Sequence, residues 1–265
     1  MLIARTKKNL QEAVRVWKSG GARIGFVPTM GALHEGHISL MNLCKTRADR
    51  TIASIFVNPT QFAPHEDFDR YPRLEEQDCI KLEDAGVDMV YLPSAGEIYE
   101  DGMEPRVTPG KAAEGLESDF RPHFFGGVVN VVERLFSHVQ PDIAIFGEKD
   151  YQQLEVIREM TAAHDMGIEI VGAPIIRDDH GLALSSRNAY LSPAELAIAR
   201  QMNVILYEAA RGTITPEAAA DKLLEAGFHK IDYVASRWGR MLAAAWLGKT
   251  RLIDNVAVGT ACPGS

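Results

Sequence analysis

Short apolar runs alternate with helical patterns over the first 171 residues of the chain. Uncharged runs rich in Val, Ile and Phe predict buried strands, and apolar residues spaced three and four apart predict helices. The predicted strands are residues 24–27, 51–57, 89–92, 143–146 and 168–171, and the predicted helices are residues 9–18, 73–85, 128–139 and 151–166, with another helix beginning near residue 38. This alternation favours an α/β fold with a parallel, Rossmann-like sheet.

The pattern changes after Pro193. Alanine-rich helices are predicted at residues 194–211 and 216–226, and apolar stretches follow at 231–234 and 241–258, the second interrupted by Gly248 and Lys249. We therefore predict a nucleotide- and substrate-binding domain at 1–176 and a smaller C-terminal α+β lid domain at 177–265, with 177–187 as the segment between them. Residues 97–125, where Gly and Pro recur, predict a mobile loop region near the edge of the sheet.

Charge and composition exclude several classes of protein. The 265 residues carry a formal net charge of -8, which argues against a nucleic-acid groove because phosphate backbones require clustered Lys and Arg. The sequence contains no run of about 18 apolar residues, so no membrane span is expected. The first nine residues are charged where a secretory signal requires an apolar stretch, and three widely spaced cysteines fit a reducing compartment. We therefore expect a cytoplasmic protein.

The first predicted strand leads through Pro28 and Gly31 to two histidines, His34 and His37, at the start of a helix. Unpaired backbone N–H groups and the helix dipole favour phosphate at such a position. Two imidazoles can also donate hydrogen bonds to a phosphoryl group in transfer, which makes nucleotidyl transfer the first hypothesis. Two simpler interpretations stay open. The pair could bind zinc together with Glu35, or the histidines could cap the helix and fill the core.

Two more loops follow predicted strands, whose carboxyl ends are where such sheets bind ligands. Lys149 could reach phosphates as a point charge, and Asp150 could hold Mg²⁺ or simply cap the next helix. Asn58 and Gln61 offer neutral donors and acceptors suited to a hydroxy acid, although an Asn-Pro pair is also a common turn.

The segment between the predicted domains carries Ser185, Ser186 and Arg187. Two hydroxyls and a guanidinium could hold a triphosphate and neutralise the pyrophosphate as it leaves. The simpler interpretation is a polar linker that caps the helix beginning near Pro193.

Four motifs taken together resemble one known family. They are Pro-Thr-Met-Gly-Ala-Leu-His-Glu-Gly-His at 28–37, Ser-Ile-Phe-Val-Asn-Pro-Thr-Gln-Phe at 54–62, Phe-Gly-Glu-Lys-Asp-Tyr-Gln-Gln-Leu at 146–154 and Gly-Leu-Ala-Leu-Ser-Ser-Arg-Asn at 181–188. Along almost its whole length the chain resembles the pantoate–β-alanine ligases, or pantothenate synthetases, of the nucleotidyltransferase superfamily. The first and last motifs are similar to that superfamily's HIGH and KMSKS signatures.

The resemblance implies a Rossmann-like fold and an AMP-forming ligase reaction. ATP and (R)-pantoate would give pantoyl adenylate and pyrophosphate, and β-alanine would then displace AMP to form pantothenate. The implied partners are these small molecules and a second copy of the chain in a cytoplasmic homodimer, with Mg²⁺ as cofactor and neither nucleic acid nor membrane involved. Another nucleotidyltransferase of the same fold and a nucleotide-binding regulatory module stay open as alternatives.

By match to the family's motifs, the resemblance also implies roles for individual residues. The implied catalytic residues are His34, His37, Lys149, Ser185, Ser186 and Arg187. The implied ATP contacts are Met30, Gly31, Ala32, Leu33, His34, Glu35, Gly36, His37, Gly147, Glu148, Lys149, Asp150, Ile176, Leu184, Ser185, Ser186 and Arg187. Pantoate would be held by Gln61 and Gln153, to which the residue types at the Asn-Pro turn add Asn58 as a third substrate-binding residue, and Mg²⁺ by Asp78 and Asp150.

Three positions depart from the family's pattern. His123 lies one place early in the segment after Arg121, His180 stands where Asp is usual, and the chain looks shorter between Val234 and Met241. We expect the shortened connection to alter the second domain more than the chemistry.

Overall fold

The computed structural model describes residues 1–63 and 68–259. Within them the chain forms two compact units. The first consists of Met1–Glu148 and Gln152–Pro174, and the second consists of Lys149–Tyr151 and the residues from Ile175 onward. The division of the chain into domains at residue 176 stays a prediction. The contacts between residues place the change from the first unit to the second after Pro174. The short segment Lys149–Tyr151 belongs to the second unit by the same contacts.

A six-stranded parallel sheet lies at the centre of the first unit in the described part of the chain. Its strands are β1 (Leu2–Ala4), β2 (Ile24–Thr29), β3 (Arg50–Ile55), β4 (Met89–Tyr91), β5 (Ile143–Gly147) and β6 (Glu169–Ala173). They lie side by side in the order β1-β4-β3-β2-β5-β6. The predicted α/β fold class is confirmed.

Helices connect these strands. They are α1 (Lys7–Ser19), α2 (Glu35–Lys45), α3 (Glu75–Asp84), α4 (Ala95–Ile98), α5 (Glu117–Phe120), α6 (Phe124–Val139) and α7 (Tyr151–Ala163). Their apolar faces are buried, for example at Leu10 of α1, Met41 of α2 and Leu82 of α3, and removing this surface from water stabilises the fold. Among the helices of the described residues, none combines the length and the hydropathy that crossing a bilayer requires.

The strand order reverses between β2 and β5. Strands β3 and β4 lie on one side of β2, and β5 and β6 lie on the other. The pairing of β2 with β5 covers Gly25 and Phe26, whereas β2 pairs with β3 from Ile24 to Thr29. Strands β2 and β5 therefore separate toward their carboxyl ends, and open α/β sheets bind ligands at such a reversal point.

Strand β2 continues past Val27, its predicted end, and includes Pro28. Pro28 lies opposite Ser54 of β3. A proline has no N–H and is tolerated in a strand where no neighbour needs that donor. Because the pairing with β5 has already ended at Phe26, β2 can extend through Pro28 and deliver the following loop beyond the edge of the sheet.

Three helices and an antiparallel three-stranded sheet form the second unit within the residues described. They are α8 (Pro193–Ala199), α9 (Gln201–Ala210), α10 (Pro216–Ala226), β7 (Lys230–Arg237), β8 (Arg240–Leu247) and β9 (Thr250–Ala257). Leu206 of α9, Leu223 of α10 and Ala243 of β8 belong to one buried cluster that joins the helices to the sheet. The α+β pattern predicted for this part of the chain is confirmed.

A two-residue turn joins β7 and β8 where the chain looks short. Arg237 pairs with Arg240, and Trp238 and Gly239 between them have φ values of 51° and 68°. Two successive left-handed residues are typical of a type I′ hairpin turn. The connection therefore closes as a tight hairpin, and β7 continues well past Val234 to reach it.

Several predictions of the elements were wrong. Strand β1 was not predicted, because three residues show no periodicity. The predicted helix at 194–211 is divided into α8 and α9 at Arg200, whose Nε donates to Asp178 at 3.0 Å. The predicted loop at 97–125 begins inside the short helix α4 and contains the short helix α5, and α6 begins at Phe124 rather than at residue 128. The other predicted ends agree with the structure to within about three residues.

Candidate active site

His34 caps helix α2. It precedes Glu35 in an extended conformation, and its Nδ1 accepts a hydrogen bond from the backbone N–H of Gly36 at 3.1 Å. The backbone N–H of His34 in turn donates to Nδ1 of His37 at 3.2 Å. These two bonds form a reciprocal capping box in which histidines replace the usual Ser and Glu. Helix capping, one of the interpretations left open, is confirmed for His34.

The capping box determines the tautomer of both rings. A backbone N–H can only donate, so Nδ1 of each imidazole is the acceptor, and the proton of the neutral ring lies on Nε2. The ring centroids of His34 and His37 are 4.1 Å apart. Two neighbouring Nε2–H donors suit an anionic group such as a phosphate. Capping and phosphate binding are therefore compatible, because they use opposite nitrogens.

The expectation of unpaired backbone N–H groups at this helix start is wrong for two residues. The N–H of Gly36 is bonded to His34 Nδ1, and that of His37 donates to the His34 carbonyl at 2.7 Å. These two backbone N–H groups are therefore already used inside the helix start. The zinc interpretation finds no support, because the described residues contain no group of three or more His, Cys, Asp and Glu side chains able to hold a metal.

Helix α3 holds the loop that leads to His34. Both carboxylate oxygens of Asp78 accept backbone N–H groups, Oδ2 from Ala32 and Oδ1 from Leu33, each at 2.8 Å. Lys81 of the same helix donates to the Leu33 carbonyl at 2.6 Å. Asp78 has an exposed fraction of 0%, and the loop backbone donates hydrogen bonds to both of its carboxylate oxygens.

The two residues assigned to Mg²⁺ differ in how well they fit it. Mg²⁺ takes octahedral oxygen ligands and usually keeps several waters. Asp78 does not suit this, because it is wholly buried and both of its oxygens already accept N–H groups. Asp150 suits Mg²⁺ better, because its side chain is 46% exposed. Its Oδ2 lies 4.0 Å from Nζ of Lys149. A carboxylate there could contact a Mg²⁺ ion that arrives with ATP, and the assignment of Asp78 stays a prediction that its surroundings do not favour.

Asn58 is buried and orients Gln61. Its Nδ2 donates to Oε1 of Gln61 at 3.1 Å and to the carbonyl of Gly127 at 3.2 Å, and its Oδ1 accepts the Tyr99 hydroxyl at 2.6 Å. Nε2 of Gln61 lies 3.1 Å from Sδ of Met30. Asn58 is 1% exposed, and its hydrogen bond orients the Gln61 side chain; contacts of either residue with substrate stay predictions.

Two adjacent glutamines at the start of α7 have different surroundings. Gln152 is buried: its Oε1 accepts the N–H of Glu117 at 3.0 Å, and its Nε2 donates to the carbonyls of Ala112 and Gly115, each at 3.1 Å. Gln152 therefore ties α7 to the loop before α5. Gln153 is partly exposed, as a substrate contact requires.

In the second unit, β9 holds the backbone of Lys149. Nδ2 of Asn255 donates to the Lys149 carbonyl at 3.0 Å, and Oδ1 of Asn255 accepts from Arg240 at 3.1 Å. The Arg240 guanidinium also lies over the ring of Tyr151, 4.5 Å from its centroid. Asn255 is 1% exposed, whereas the Lys149 side chain is 22% exposed. The backbone of Lys149 is thus fixed while its ammonium group keeps access to solvent.

The Ser-Ser-Arg motif begins a short 3-10 helix at Ser186–Tyr190. Oγ of Ser185 caps this turn by accepting the backbone N–H of Arg187 at 3.3 Å. Helix α8 has its own cap, because Ser192 Oγ accepts from the N–H of Glu195. The interpretation of the motif as a linker that caps the helix at Pro193 is therefore wrong.

A buried ion pair joins this segment to β9. Arg177 donates twice to the carboxylate of Asp254, at 2.6 and 2.9 Å, and the side chains are 16% and 3% exposed. The N–H of Leu184 donates to the carbonyl of Ile176 at 2.9 Å, so the motif starts beside Arg177. Strand β9 thus anchors both predicted ATP-binding parts of the second unit, through the successive residues Asp254 and Asn255.

Asp178 closes the turn before the Ser-Ser-Arg motif. Its Oδ1 accepts the N–H groups of His180 and Leu182, each at 2.9 Å, and its Oδ2 accepts from Arg200 at 3.0 Å. Burial alone would raise the pKa of Asp178, but these hydrogen bonds hold that pKa below its usual range. His180 is exposed and joins the turn through its backbone. His123, the other unusual histidine, is exposed before α6 and makes no side-chain cap bond to that helix.

The predicted site residues fall into two groups, one in each unit. The first unit carries Met30, Gly31, Ala32, Leu33, His34, Glu35, Gly36, His37, Asn58, Gln61, Asp78, Gly147, Glu148 and Gln153, and the second carries Lys149, Asp150, Ile176, Leu184, Ser185, Ser186 and Arg187.

Comparison with known proteins decides the family. The sequence model described as pantoate-beta-alanine ligase matches residues 2–257. The chain belongs to the pantoate–β-alanine ligase family. It is 52% identical over 268 residues to a pantothenate synthetase of Mesorhizobium japonicum, covering 94% of this chain and 95% of the relative. It is 48% identical over 281 residues to the one of Caulobacter vibrioides, covering 97% and 99%.

Solved structures of the ligase family share this fold. A pantothenate synthetase from Thermus thermophilus superposes with a TM-score of 0.87 and 40% identity, covering 97% of this chain and 99% of the other. A pantoate-beta-alanine ligase from Francisella tularensis, complexed with beta-gamma ATP and beta-alanine, has a TM-score of 0.89 and 37% identity, covering 98% and 99%. The resemblance inferred from the four motifs is confirmed.

Sequence reasoning missed residues that support the ligase motifs. Asp254 and Asn255 lie inside β9 and are buried, and two polar residues in an apolar strand are a usable signal, since buried polar groups need partners. Lys81 gave no such signal, because a single Lys on a helix is usually solvated.

Proposed function

We propose that the chain catalyses the ATP-dependent condensation of (R)-pantoate with β-alanine to pantothenate. In the first step a carboxylate oxygen of pantoate attacks the α-phosphorus of ATP, and the bond to pyrophosphate breaks as pyrophosphate leaves with the electron pair. In the second step the amine of β-alanine attacks the acyl carbon of pantoyl adenylate, loses a proton and displaces AMP. The match to the ligase family over residues 2–257 supports this proposal most strongly.

The histidine pair stabilises the charge that moves onto the leaving phosphates. His34 and His37 donate from Nε2, and the support for this role is the reciprocal cap, which engages Nδ1 of the two rings at 3.1 and 3.2 Å. A neutral donor of fixed tautomer requires no change of protonation during the step. A single preorganised donor contributes about 10²- to 10³-fold to kcat, so the pair supplies part of the rate and not all of it.

Lys149 and Arg187 are the proposed cations. Lys149 neutralises phosphate oxygens as a point charge, and Arg187 with the hydroxyls of Ser185 and Ser186 holds the pyrophosphate portion of ATP. Mg²⁺ bound with the nucleotide would offset phosphate charge, and Asp150 is the carboxylate that would hold it. Alignment and charge neutralisation are the main tasks, because the protein forms no covalent bond to either substrate.

Gln61 and Gln153 hold pantoate. Asn58 engages Oε1 of Gln61 at 3.1 Å, and one N–H of the Gln61 amide is directed at Sδ of Met30, so the second N–H is the donor to an oxygen of the hydroxy acid. A site built on such amide donors discriminates strongly against an analogue that lacks the matching oxygen. We also propose a cytoplasmic homodimer, for which light scattering should give twice the chain mass of 29.2 kDa.

Product analysis tests the proposed reaction. Purified protein should release AMP, and not ADP, only when ATP, Mg²⁺, pantoate and β-alanine are all present. A release of ADP would contradict an adenylate intermediate. A dinucleotide product without any need for an amine would indicate another nucleotidyltransferase, and ATP binding without turnover would indicate a regulatory module.

A further inference from the structure

Two side chains of α3 form hydrogen bonds to the backbone of the loop that leads to the histidine pair. Asp78 and Lys81 lie three residues apart and so share a face of the helix. Asp78 accepts the N–H groups of Ala32 and Leu33, each at 2.8 Å, and Lys81 donates to the carbonyl of Leu33 at 2.6 Å. One turn of α3 therefore satisfies two donors and one acceptor of the loop backbone.

The loop needs this support because its backbone is strained. Gly31 and Ala32 both adopt left-handed conformations, with φ values of 81° and 51°. For a residue with a Cβ this costs about 1 kcal/mol and persists only where the surroundings hold it. A Cβ on Gly31 would lie 2.9 Å from Oδ2 of Asp78, so the close approach of the loop to that carboxylate requires glycine.

The two ends of the loop have different surroundings. The side chain of Leu33 is buried in the core. Met30 and Gly31, in contrast, border a cavity of about 340 Å³ that Ile55 and Leu74 also line. The hydrogen bonds from α3 hold the backbone of Ala32 and Leu33 where the loop borders this cavity.

The loop residues that Asp78 and Lys81 bind, Ala32 and Leu33, come immediately before the histidine pair in the sequence. Leu33 precedes His34, whose own N–H donates to Nδ1 of His37 at 3.2 Å, so a shift of Leu33 moves both rings. We propose that Asp78 and Lys81 are positioning residues that set His34 and His37 for adenylate formation, an inference that rests on the function proposed above. This role uses the Asp78 carboxylate as a backbone acceptor and not as a ligand of Mg²⁺.

A burst measurement separates positioning from folding. Without β-alanine, each competent enzyme molecule releases one pyrophosphate, so the burst amplitude counts competent enzyme and the rate constant reports adenylate formation. Asp78→Asn preserves the shape of the side chain but places an amide N–H against a backbone donor. The rate constant should fall about 10- to 100-fold at preserved amplitude, and the Mg²⁺ concentration that gives half the maximal rate should stay unchanged.

Variants at Lys81 provide an independent test. Lys81→Met removes the donor and keeps most of the side-chain volume, and the rate constant should fall about tenfold. Lys81→Arg restores a donor and should recover most of that loss. The matched control is Glu76→Gln, which removes a charge from the same helix at an exposed position and should leave the rate constant unchanged.

Three results would overturn the proposal. The first is a wild-type rate constant in Asp78→Asn, and the second is a lower amplitude with an unchanged rate constant, which indicates structural support only. The third is a rate constant restored by excess Mg²⁺, which makes Asp78 a metal ligand.

If Asp78→Asn does not fold, equal rate constants in Lys81→Met and wild type contradict positioning. A wild-type chain that releases no pyrophosphate contradicts the proposed function itself and is recognised before any variant is measured.

Discussion

Gly127 marks the place where α6 meets the loop that carries Gln61. A Cβ added to Gly127 would lie 2.4 Å from the carbonyl oxygen of Thr60 and 2.8 Å from Cα of Gln61. Non-bonded heavy atoms prefer a separation of about 3.5 Å or more, so Gly127→Ala requires a displacement of about 1 Å. Both neighbours are backbone atoms and cannot rotate aside, so the loop itself must move.

The adjacent Gly126 provides a matched control, because a Cβ there meets no atom of the described residues within 4 Å. Ala is favoured over Gly inside a helix by about 1 kcal/mol, so Gly126→Ala should raise the free energy of unfolding by up to that amount. Gly127→Ala gains the same helix contribution but overpacks the contact, which costs about 1–3 kcal/mol. The free energies of unfolding of the two variants should therefore differ by about 1–3 kcal/mol.

The displacement should also reach the substrate. Moving Gln61 by about 1 Å should lower kcat/KM for pantoate about 10- to 100-fold in Gly127→Ala, with KM for ATP unchanged. Urea unfolding followed by circular dichroism measures the stability difference, and initial rates at varied pantoate measure the kinetic one. Identical stability and identical pantoate kinetics in the two alanine variants would refute this reasoning.

Three further predictions follow from the geometry. Lys149→Ala and Arg187→Ala should each slow adenylate formation about 100-fold or more, because each removes a cation that stabilises transition-state charge; near-normal pyrophosphate release in the burst assay would contradict this. Asp254→Asn should lower the free energy of unfolding by about 3 kcal/mol in urea titrations, because Arg177 stays buried without its counter-charge, and unchanged stability would show that the pair is dispensable. His138 should make the chain less stable in acid, by about 2 kcal/mol between pH 7.5 and pH 5 in the same titrations.

The sign of the His138 effect follows from which state binds the proton more tightly. Burial and then the charge of Lys7 lower the pKa of His138 from 6.5 to about 4, against the opposing effect of Glu100 and Glu97. Its Nε2 has no hydrogen-bond partner among the described residues. The unfolded chain therefore takes up the proton first, so this stability is complete above pH 6.5 and is lost as the pH falls toward 4. His138→Gln, which cannot titrate, should show a shallower pH slope, and an equal slope would contradict the assignment.

The sheet could be predicted from sequence because its central strands are buried on both faces. Thr51, Ile52 and Ala53 of β3 are each at most 1% exposed, and such strands appear as uninterrupted apolar runs. Strand β1 could not be predicted in this way. It has three residues, and Leu2 and Ile3 are 53% and 54% exposed at the sheet edge, so only pairing with β4 distinguishes it from a loop.

The candidate site residues could be predicted from the sequence, but the residues that hold them in place could not. His34 and His37 stand out because two histidines flank a glycine where a strand leads into a helix. That they cap the helix through Nδ1 depends on backbone angles that sequence spacing does not reveal. The contact of Asp78 with Leu33 joins residues 45 positions apart, and only the folded sheet brings α3 against that loop.

Exchange of labelled pyrophosphate into ATP, measured without β-alanine, tests the central claim most directly because it reports the first step alone. Exchange should require the chain, Mg²⁺, ATP and pantoate together, and His37→Ala should slow it about 100-fold or more. Exchange that proceeds equally well without pantoate, or no exchange by folded protein at saturating pantoate, would contradict the formation of pantoyl adenylate by this chain.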